Sequence, residues 1–193
     1  GVSVPSGDLS DFVGVGPGFT VGVNFRVHDM ISIRTEGGAD LYKTETFAET
    51  TGTPDVSEFE GPDVTLTRLD LGLVFHAVQP DMGGGFWVDA DVGGGYHIIT
   101  TNNFEFQRSP TDVVSIDVSK GYLGAKGGLT FGYHFTDAVS AFVGGDAYLV
   151  PGDAEDLAGF GELDGVEDGG EFTPPETIWS FPVQAGLRLH FQP

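Results

Sequence analysis

Residues Gly121 to Val150 read GYLGAKGGLTFGYHFTDAVSAFVGGDAYLV. Taken at a period of two, Leu123, Ala125, Leu129, Phe131, Tyr133 and Phe135 fall on one side of an extended chain. Tyr122, Gly124, Lys126, Gly128, Thr130, Gly132 and His134 fall on the other. Thr136-Asp137-Ala138 then reverses the chain, and Val139, Ala141, Val143, Ala147 and Leu149 resume the apolar side. Side chains along a strand point alternately to opposite faces, so this is a hairpin with one apolar face and one polar, glycine-rich face. A helix needs apolar residues every three to four positions, and that spacing is absent.

The same pattern recurs outward in both directions. Gly18 to His28 sets Phe19, Val21, Val23, Phe25 and Val27 against Thr20, Gly22, Asn24, Arg26 and His28, and Asp29-Met30 makes a tight turn into Ile31–Lys43. Val64 to Val78 opposes Leu69, Leu71, Leu73 and Phe75 to Arg68, Asp70, Gly72 and His76. Residues 79–85 form a turn by composition. Phe86 to Ile98 opposes Phe86, Val88, Ala90, Val92, Tyr96 and Ile98 to Trp87, Asp89, Asp91, Gly93, Gly95 and His97. Thr177 to Phe191 closes the series, with Trp179, Phe181, Val183, Ala185, Leu187, Leu189 and Phe191 opposite Gln184, Gly186, Arg188 and His190. Connections alternate strictly between short (29–30, 79–85, 136–138) and long, polar loops (44–62, 100–120, 151–176). Seven strands are evident, and this alternation requires one more before Gly18. The weakly patterned segment 1–17 is the only candidate for it.

At 193 residues the chain is expected to be a single domain. Glycine is frequent, at 31 residues, yet 39% of the chain is apolar, so the glycines belong to turns and closely spaced strands rather than to disorder. Without cysteine there is no disulfide framework and no thiolate chemistry. The net charge of −21 argues against a nucleic-acid partner, which needs a basic surface. The excess acid is concentrated in the loops, above all between Pro151 and Glu176, whereas Arg26, Arg34, Arg68, Lys126 and Arg188 lie within the alternating segments. Nothing resembles a signal peptide, and a chain starting at Gly1 fits a mature form whose leader has been removed.

Alternation alone says only that a sheet is half-buried; a soluble sheet would turn its apolar face inward. Three features favour lipid on the apolar side instead. The strands run to about 11–15 residues, where soluble strands average about five or six and a membrane-spanning strand needs about ten. Aromatic residues gather at strand ends, with Trp179 and Phe181 at one and Tyr133, Phe135 and Phe191 at the other. The polar face mixes both signs of charge among glycines, as a small packed lumen would. Lipid permits only a closed sheet, because every backbone group must be bonded. The predicted fold is therefore an all-β, antiparallel up-and-down β-barrel of about eight strands, of transmembrane type.

Carried by the alternation over about residues 18–191 and by the final strand Val183-Gln-Ala-Gly-Leu-Arg-Leu-His-Phe191, the chain resembles the small outer-membrane β-barrel family, the eight-stranded domains of OmpA-, OmpX- and OmpW-like proteins. Members of that family commonly end in a strand with a terminal aromatic; here Gln192-Pro193 follow Phe191. The resemblance implies the outer membrane of a diderm bacterium, lipid as the immediate partner, long loops facing outward and both termini in the periplasm. It is specific for architecture and hardly at all for activity.

Arg26, Arg34, Arg68, Lys126 and Arg188 on the polar face require partners once enclosed, and Glu36, Asp70, Asp89, Asp91 and Asp146 are the candidates for a lumen charge network. His28, His76, His134 and His190 share the polar face near the short-turn end. If level, they would form a ring able to bind a transition metal or change charge near neutral pH. Strand stagger can equally separate them into ordinary polar lumen residues. Asp89-Ala-Asp91-Val-Gly93 begins like a calcium loop but lacks the later ligands. The acidic loop around Asp153–Glu171 offers carboxylates for Ca²⁺, and its composition equally describes a solvated, self-repelling segment.

No Gly-x-Ser-x-Gly, His-Glu-x-x-His or phosphate-loop motif occurs. The expectation is a non-enzymatic outer-membrane barrel, a structural protein or a narrow, plugged pore, with acidic loops for adhesion or partner binding. Two alternatives stand beside it. One is a subunit of an oligomer or extracellular filament assembled by N-terminal strand addition; the other is an outer-membrane hydrolase.

Overall fold

Alternating residues placed on extended backbone give, in this computed structural model, a ring of eight antiparallel strands. Residues 1–6, 13–43, 46–50, 56–60, 63–78, 85–101, 104–109, 112–116, 119–151 and 177–190 are described. Among them every regular element is a strand. The ring consists of β1 (Val2–Ser6), β2 (Gly16–His28), β3 (Ile31–Tyr42), β6 (Val64–Val78), β7 (Gly85–Thr101), β10 (Ser119–His134), β11 (Val139–Pro151) and β12 (Thr177–Leu189). Its order, β1-β12-β11-β10-β7-β6-β3-β2, joins each strand to its sequence neighbour in the ring and closes through β1. The Gly121–Val150 hairpin forms with Phe131 opposite Val143 and His134 opposite Ser140. The eighth strand comes from the N-terminal segment, as β1 at Val2–Ser6.

The long connections hold more structure than their polarity suggests. The stretches 44–62 and 100–120, expected as loops, carry hairpins: β4 (Thr46–Thr50) with β5 (Val56–Glu60), and β8 (Phe104–Ser109) with β9 (Asp112–Ile116). Both form two-stranded sheets separate from the ring. In backbone register Phe47 pairs with Phe59 in the first, and Phe106 with Val114 in the second. Aromatic and β-branched residues supply strand propensity there, at intervals that the surrounding acidic residues obscure. The turn at 79–84, the acidic stretch 152–176 and the terminal aromatic Phe191 lie outside the described residues.

The two faces of the ring are chemically opposite, and the apolar one looks out. Leu71 and Leu187 are 62% and 72% exposed, whereas Arg68 and Lys126 on the alternate positions are each 4% exposed. Phe19, Val21, Leu69, Leu129 and Val143 are likewise exposed. The interior changes character along its length. Near the short turns and through the middle it is charged. Near the long connections it becomes apolar, with Val64, Leu66, Ile99, Val150 and Ile178 buried together with Val13. Those inward apolar positions were not evident in sequence, because they interrupt the alternation at strand ends.

Closure depends on β1, which is short. All five of its residues pair with β12, from Val2 opposite Val183 to Ser6 opposite Trp179, but only Val2 and Ser3 pair with β2. Ser3 at its centre is fully buried, and its hydroxyl lies 2.6 Å from that of Tyr42 and 2.8 Å from that of Ser180. The Tyr42 and Ser180 hydroxyls are 2.7 Å apart, so three hydroxyls on β1, β3 and β12 form a closed hydrogen-bonded triangle. Tyr42→Phe removes the shared vertex without changing the ring volume. It should lower the unfolding free energy by about 1–2 kcal/mol in denaturant titration, with β1 amides showing the largest loss of hydrogen-exchange protection.

Candidate functional site

Period-two geometry sends Arg34, Glu36 and Asp40 of β3 inward in succession, and Arg68 and Asp70 of β6, Asp89 and Asp91 of β7, Lys126 of β10 and Asp146 of β11 point into the same space. All nine are buried. An eight-stranded ring leaves an interior just wide enough for side chains, so charges from facing walls meet across it.

The centre is Lys126. Its ammonium contacts the Glu36 carboxylate, lies 3.1 Å from Asp91 and reaches Asp146 at 3.9 Å. Arg34 adds a second cation, 3.3 Å from Asp91 and 3.9 Å from Glu36, while its Nε donates to Asn24 at 2.9 Å. Gln184 donates to Asp146 at 2.9 Å, and the Tyr148 hydroxyl donates to Glu36 at 3.1 Å. Strands from every side of the ring thus meet in one cluster. Two cations face three carboxylates, and the neutral donors Tyr148 and Gln184 supply further hydrogen bonds to that surplus.

Two further groups lie above and below. Toward the long connections, Arg68 pairs with Asp40 and stacks its guanidinium 4.5 Å from the Tyr148 ring centre. His97, completely buried, is 3.0 Å from Asp70 and packs edge-on against Tyr148. Toward the short turns, Asp89 sits between His76 at 2.7 Å and Arg188 at 2.9 Å. The other imidazole nitrogen of His76 is 2.7 Å from the Ser32 hydroxyl, and Arg188 lies 4.2 Å from the centre of the Trp87 ring. Glycine makes room for this packing at particular points. A Cβ at Gly132 would run into the Trp87 indole, and one at Gly128 would meet the Asp146 carboxylate.

Nine of the ten residues expected in a lumen network are therefore brought together in three layers, and Arg26 is not. It is exposed at the β2–β3 turn, where it donates to the Asp29 carbonyl at 2.6 Å. The pairing of β2 with β3 shifts register just beyond it, and among the described residues no strand pairs with β2 on its other side at that level. The four histidines do not form one ring. His134 and His190 are neighbours, with ring centres 4.7 Å apart, and His190 reaches the Ser140 hydroxyl at 3.0 Å. His76 belongs to the Asp89 pair, and His28 is exposed in its turn, where it accepts from the Met30 amide at 3.3 Å. Among the described residues no group of three or more His, Asp or Glu side chains is placed to hold a metal. The carboxylates proposed for Ca²⁺ between Asp153 and Glu171 lie outside the described residues.

Three participants were not singled out in the sequence: His97, Tyr148 and the Ser3–Tyr42–Ser180 triangle. His97 and Tyr148 share the inward parity of Asp91 and Asp146, and that was the available signal. No signal of spacing connects Ser3 to Ser180, which become neighbours only when the ring closes. Comparison with protein-family models, curated proteins and solved structures finds no match to this chain.

Removing Lys126 leaves three carboxylates around an apolar stem. Lys126→Met should destabilise the barrel by about 3–5 kcal/mol, whereas Arg26→Ala should change it by no more than about 0.5 kcal/mol; parallel denaturant titrations compare the two. A pH dependence follows at the rim. His190 lies just past β12 and its amide donates to the Ala138 carbonyl. Burial, then the adjacent His134 and the Arg188 charge, hold its pKa below the ordinary imidazole value. The unfolded chain then takes up a proton that the folded one resists, so stability falls as pH drops below about 6.5. The difference in unfolding midpoint between wild type and His190→Gln should shrink or reverse across that range.

Proposed function

We propose that this protein is a non-enzymatic outer-membrane β-barrel whose interior is filled by its own charged side chains, serving as a structural wall element with a surface-directed rim. The observation that carries the reading is the inverted distribution of polarity, with an ionic, hydrogen-bonded interior inside a ring whose exterior bears leucine, valine and phenylalanine. Monomeric soluble proteins rarely expose a contiguous apolar surface of that kind. In water such a ring would bury six carboxylates and three cations, with Arg188 half-buried beside them, while leaving large apolar side chains wet, the costly choice on both counts. In lipid both choices reverse, because the outer face then meets acyl chains and a closed sheet bonds its own backbone.

Exposed aromatic pairs support the same reading. Trp179 and Phe181 stack near the long-connection end, with ring centres 6.2 Å apart. Tyr133 and Phe135 lie 5.7 Å apart near a short turn. Such rings suit the two interfaces of a membrane. The layers of Arg68–Tyr148, Lys126–Glu36 and Arg188–Trp87 succeed one another along the lumen and favour a plugged barrel over an open pore. Any adhesive or partner-binding role then falls to the long connections.

Detergent dependence tests the reading directly: the purified protein should stay dispersed in micelles and aggregate on detergent removal. A charge on the outer face sharpens the test. Leu71→Arg or Leu187→Arg should destabilise the barrel folded in lipid vesicles by about 2–4 kcal/mol, depending on depth. Full solubility of the wild type without detergent, together with silent Arg variants, would refute the membrane assignment.

A further inference from the structure

At the short-turn mouth, beyond the Asp89 group, two histidines meet. His134 is the last residue of β10 and His190 lies just past β12, so the strand between them is β11. Register fixes the meeting. Ser140 of β11 is opposite His134 on one side and Arg188 on the other, and the His190 amide donates to the Ala138 carbonyl in the adjoining turn. Both imidazoles therefore share the inward parity of Ser140 and flank it. Ser140 is small and fully buried, which leaves room for the two rings to approach. Their centres are 4.7 Å apart, with planes inclined at 53°. Trp87 packs against His134 as well, its ring centre 6.0 Å away.

That separation fits one shared metal ion. An imidazole nitrogen lies about 1.1 Å from its ring centre and bonds Zn²⁺ at about 2.0–2.1 Å, which puts each ring centre about 3.2 Å from the ion. Two such rings subtending about 90–110° at the metal have centres about 4.5–5.2 Å apart. A second feature sets the pair apart from plain ring packing. The Ser140 hydroxyl lies 3.0 Å from His190 Nε2. With Nε2–H donating to Ser140, Nδ1 carries the free lone pair, and metal-ligating histidines are commonly held by such a bond from the other ring nitrogen. The remaining inward histidines are committed elsewhere. His76 has one nitrogen on Asp89 and the other on Ser32, and His97 is fully enclosed. His134 and His190 are only half-buried, so water reaches them from the mouth. The charges facing them are Arg188, balanced by Asp89 at 2.9 Å, and the exposed carboxylate of Asp137 in the adjoining turn.

We infer that His134 and His190 form a two-histidine site for a divalent transition-metal ion of the Cu²⁺ and Zn²⁺ class at the short-turn mouth, with water completing the coordination. Neutral imidazole suits both ions, and Cu²⁺ is the tighter binder at a given nitrogen site. Structural zinc sites use four protein ligands, whereas two leave the ion exchangeable, so the site suits reversible capture of metal. This gives the mouth a role beyond that of a wall element, and its geometry does not depend on the membrane assignment.

Titration with Cu²⁺ in micelles tests it. The chain has two tryptophans, so in a Trp179→Phe background the emission comes from Trp87 alone, beside His134. One equivalent of Cu²⁺ should quench that emission. His134→Gln and His190→Gln should each weaken binding by about tenfold or more, no less than the loss that follows removal of a ligand's supporting hydrogen bond, while His28→Gln leaves it unchanged. In the unsubstituted protein, where no variant has to fold, one equivalent of Zn²⁺ should move the imidazole resonances of His134 and His190 and not those of His28 or His97. Quenching that survives substitution of either His134 or His190, or that His28→Gln abolishes, would overturn the proposal, as would Zn²⁺ that leaves both resonances in place. Failure of the metal site in a barrel that still needs detergent would leave the membrane reading intact, and a metal site found in a protein soluble without detergent would remove that reading alone.

Discussion

Charges drawn off water inside a narrow ring must find one another, and this requirement organises the molecule. Lys126 touches or approaches Glu36, Asp91 and Asp146, three carboxylates on three different strands. Each strand must therefore hold its register relative to the others, or an ion loses its partner. A slip of one residue would expel the whole charged set to the apolar side. Buried ion pairs are weak evidence of stability, since desolvation offsets most of the attraction. Their use here is specification of register, because Lys126 meets Glu36, Asp91 and Asp146 together when β3, β7, β10 and β11 are aligned in this way.

Aromatic rings share that work. Tyr148 lies under the Arg68 guanidinium, is approached by Lys126 and donates its hydroxyl to Glu36. It links the upper and middle layers through one rigid side chain. Trp87 does something similar near the short turns, stacking on Arg188 while Gly132 leaves space for its indole. A fully ionic interior would need hydrogen-bonding partners on every side of every charge. Flat rings occupy the remaining volume and still attract cations through their faces.

Much of this architecture was legible before any coordinates, because period-two alternation specifies which side chains share a face. The strand limits at Val64–Val78 coincide with the structure, and so does the inward placement of Arg34, Arg68, Lys126 and Arg188. What was illegible falls into two kinds. Stagger between strands has no sequence signature, so His28, His76, His134 and His190, level by counting, separate into a turn, an Asp89 pair and a rim pair. Local context also overrides the pattern. Arg26 has inward parity, but its neighbouring strand does not reach it, and it turns to the Asp29 carbonyl instead. The hairpins within 44–62 and 100–120 were masked by acidic composition for the same reason, since polarity reports solvation and not backbone geometry.

Among the described residues, β4 with β5 and β8 with β9 pair within themselves and make no ladder with the ring. The backbone pairing of these strands is thereby separate from the pairing that holds the ionic interior in register. A lineage could recast what such a molecule presents to its surroundings, residue by residue or by swapping a whole hairpin, without reopening the question of how the barrel folds. For the same reason these two positions are the natural grafting points for foreign peptide sequences.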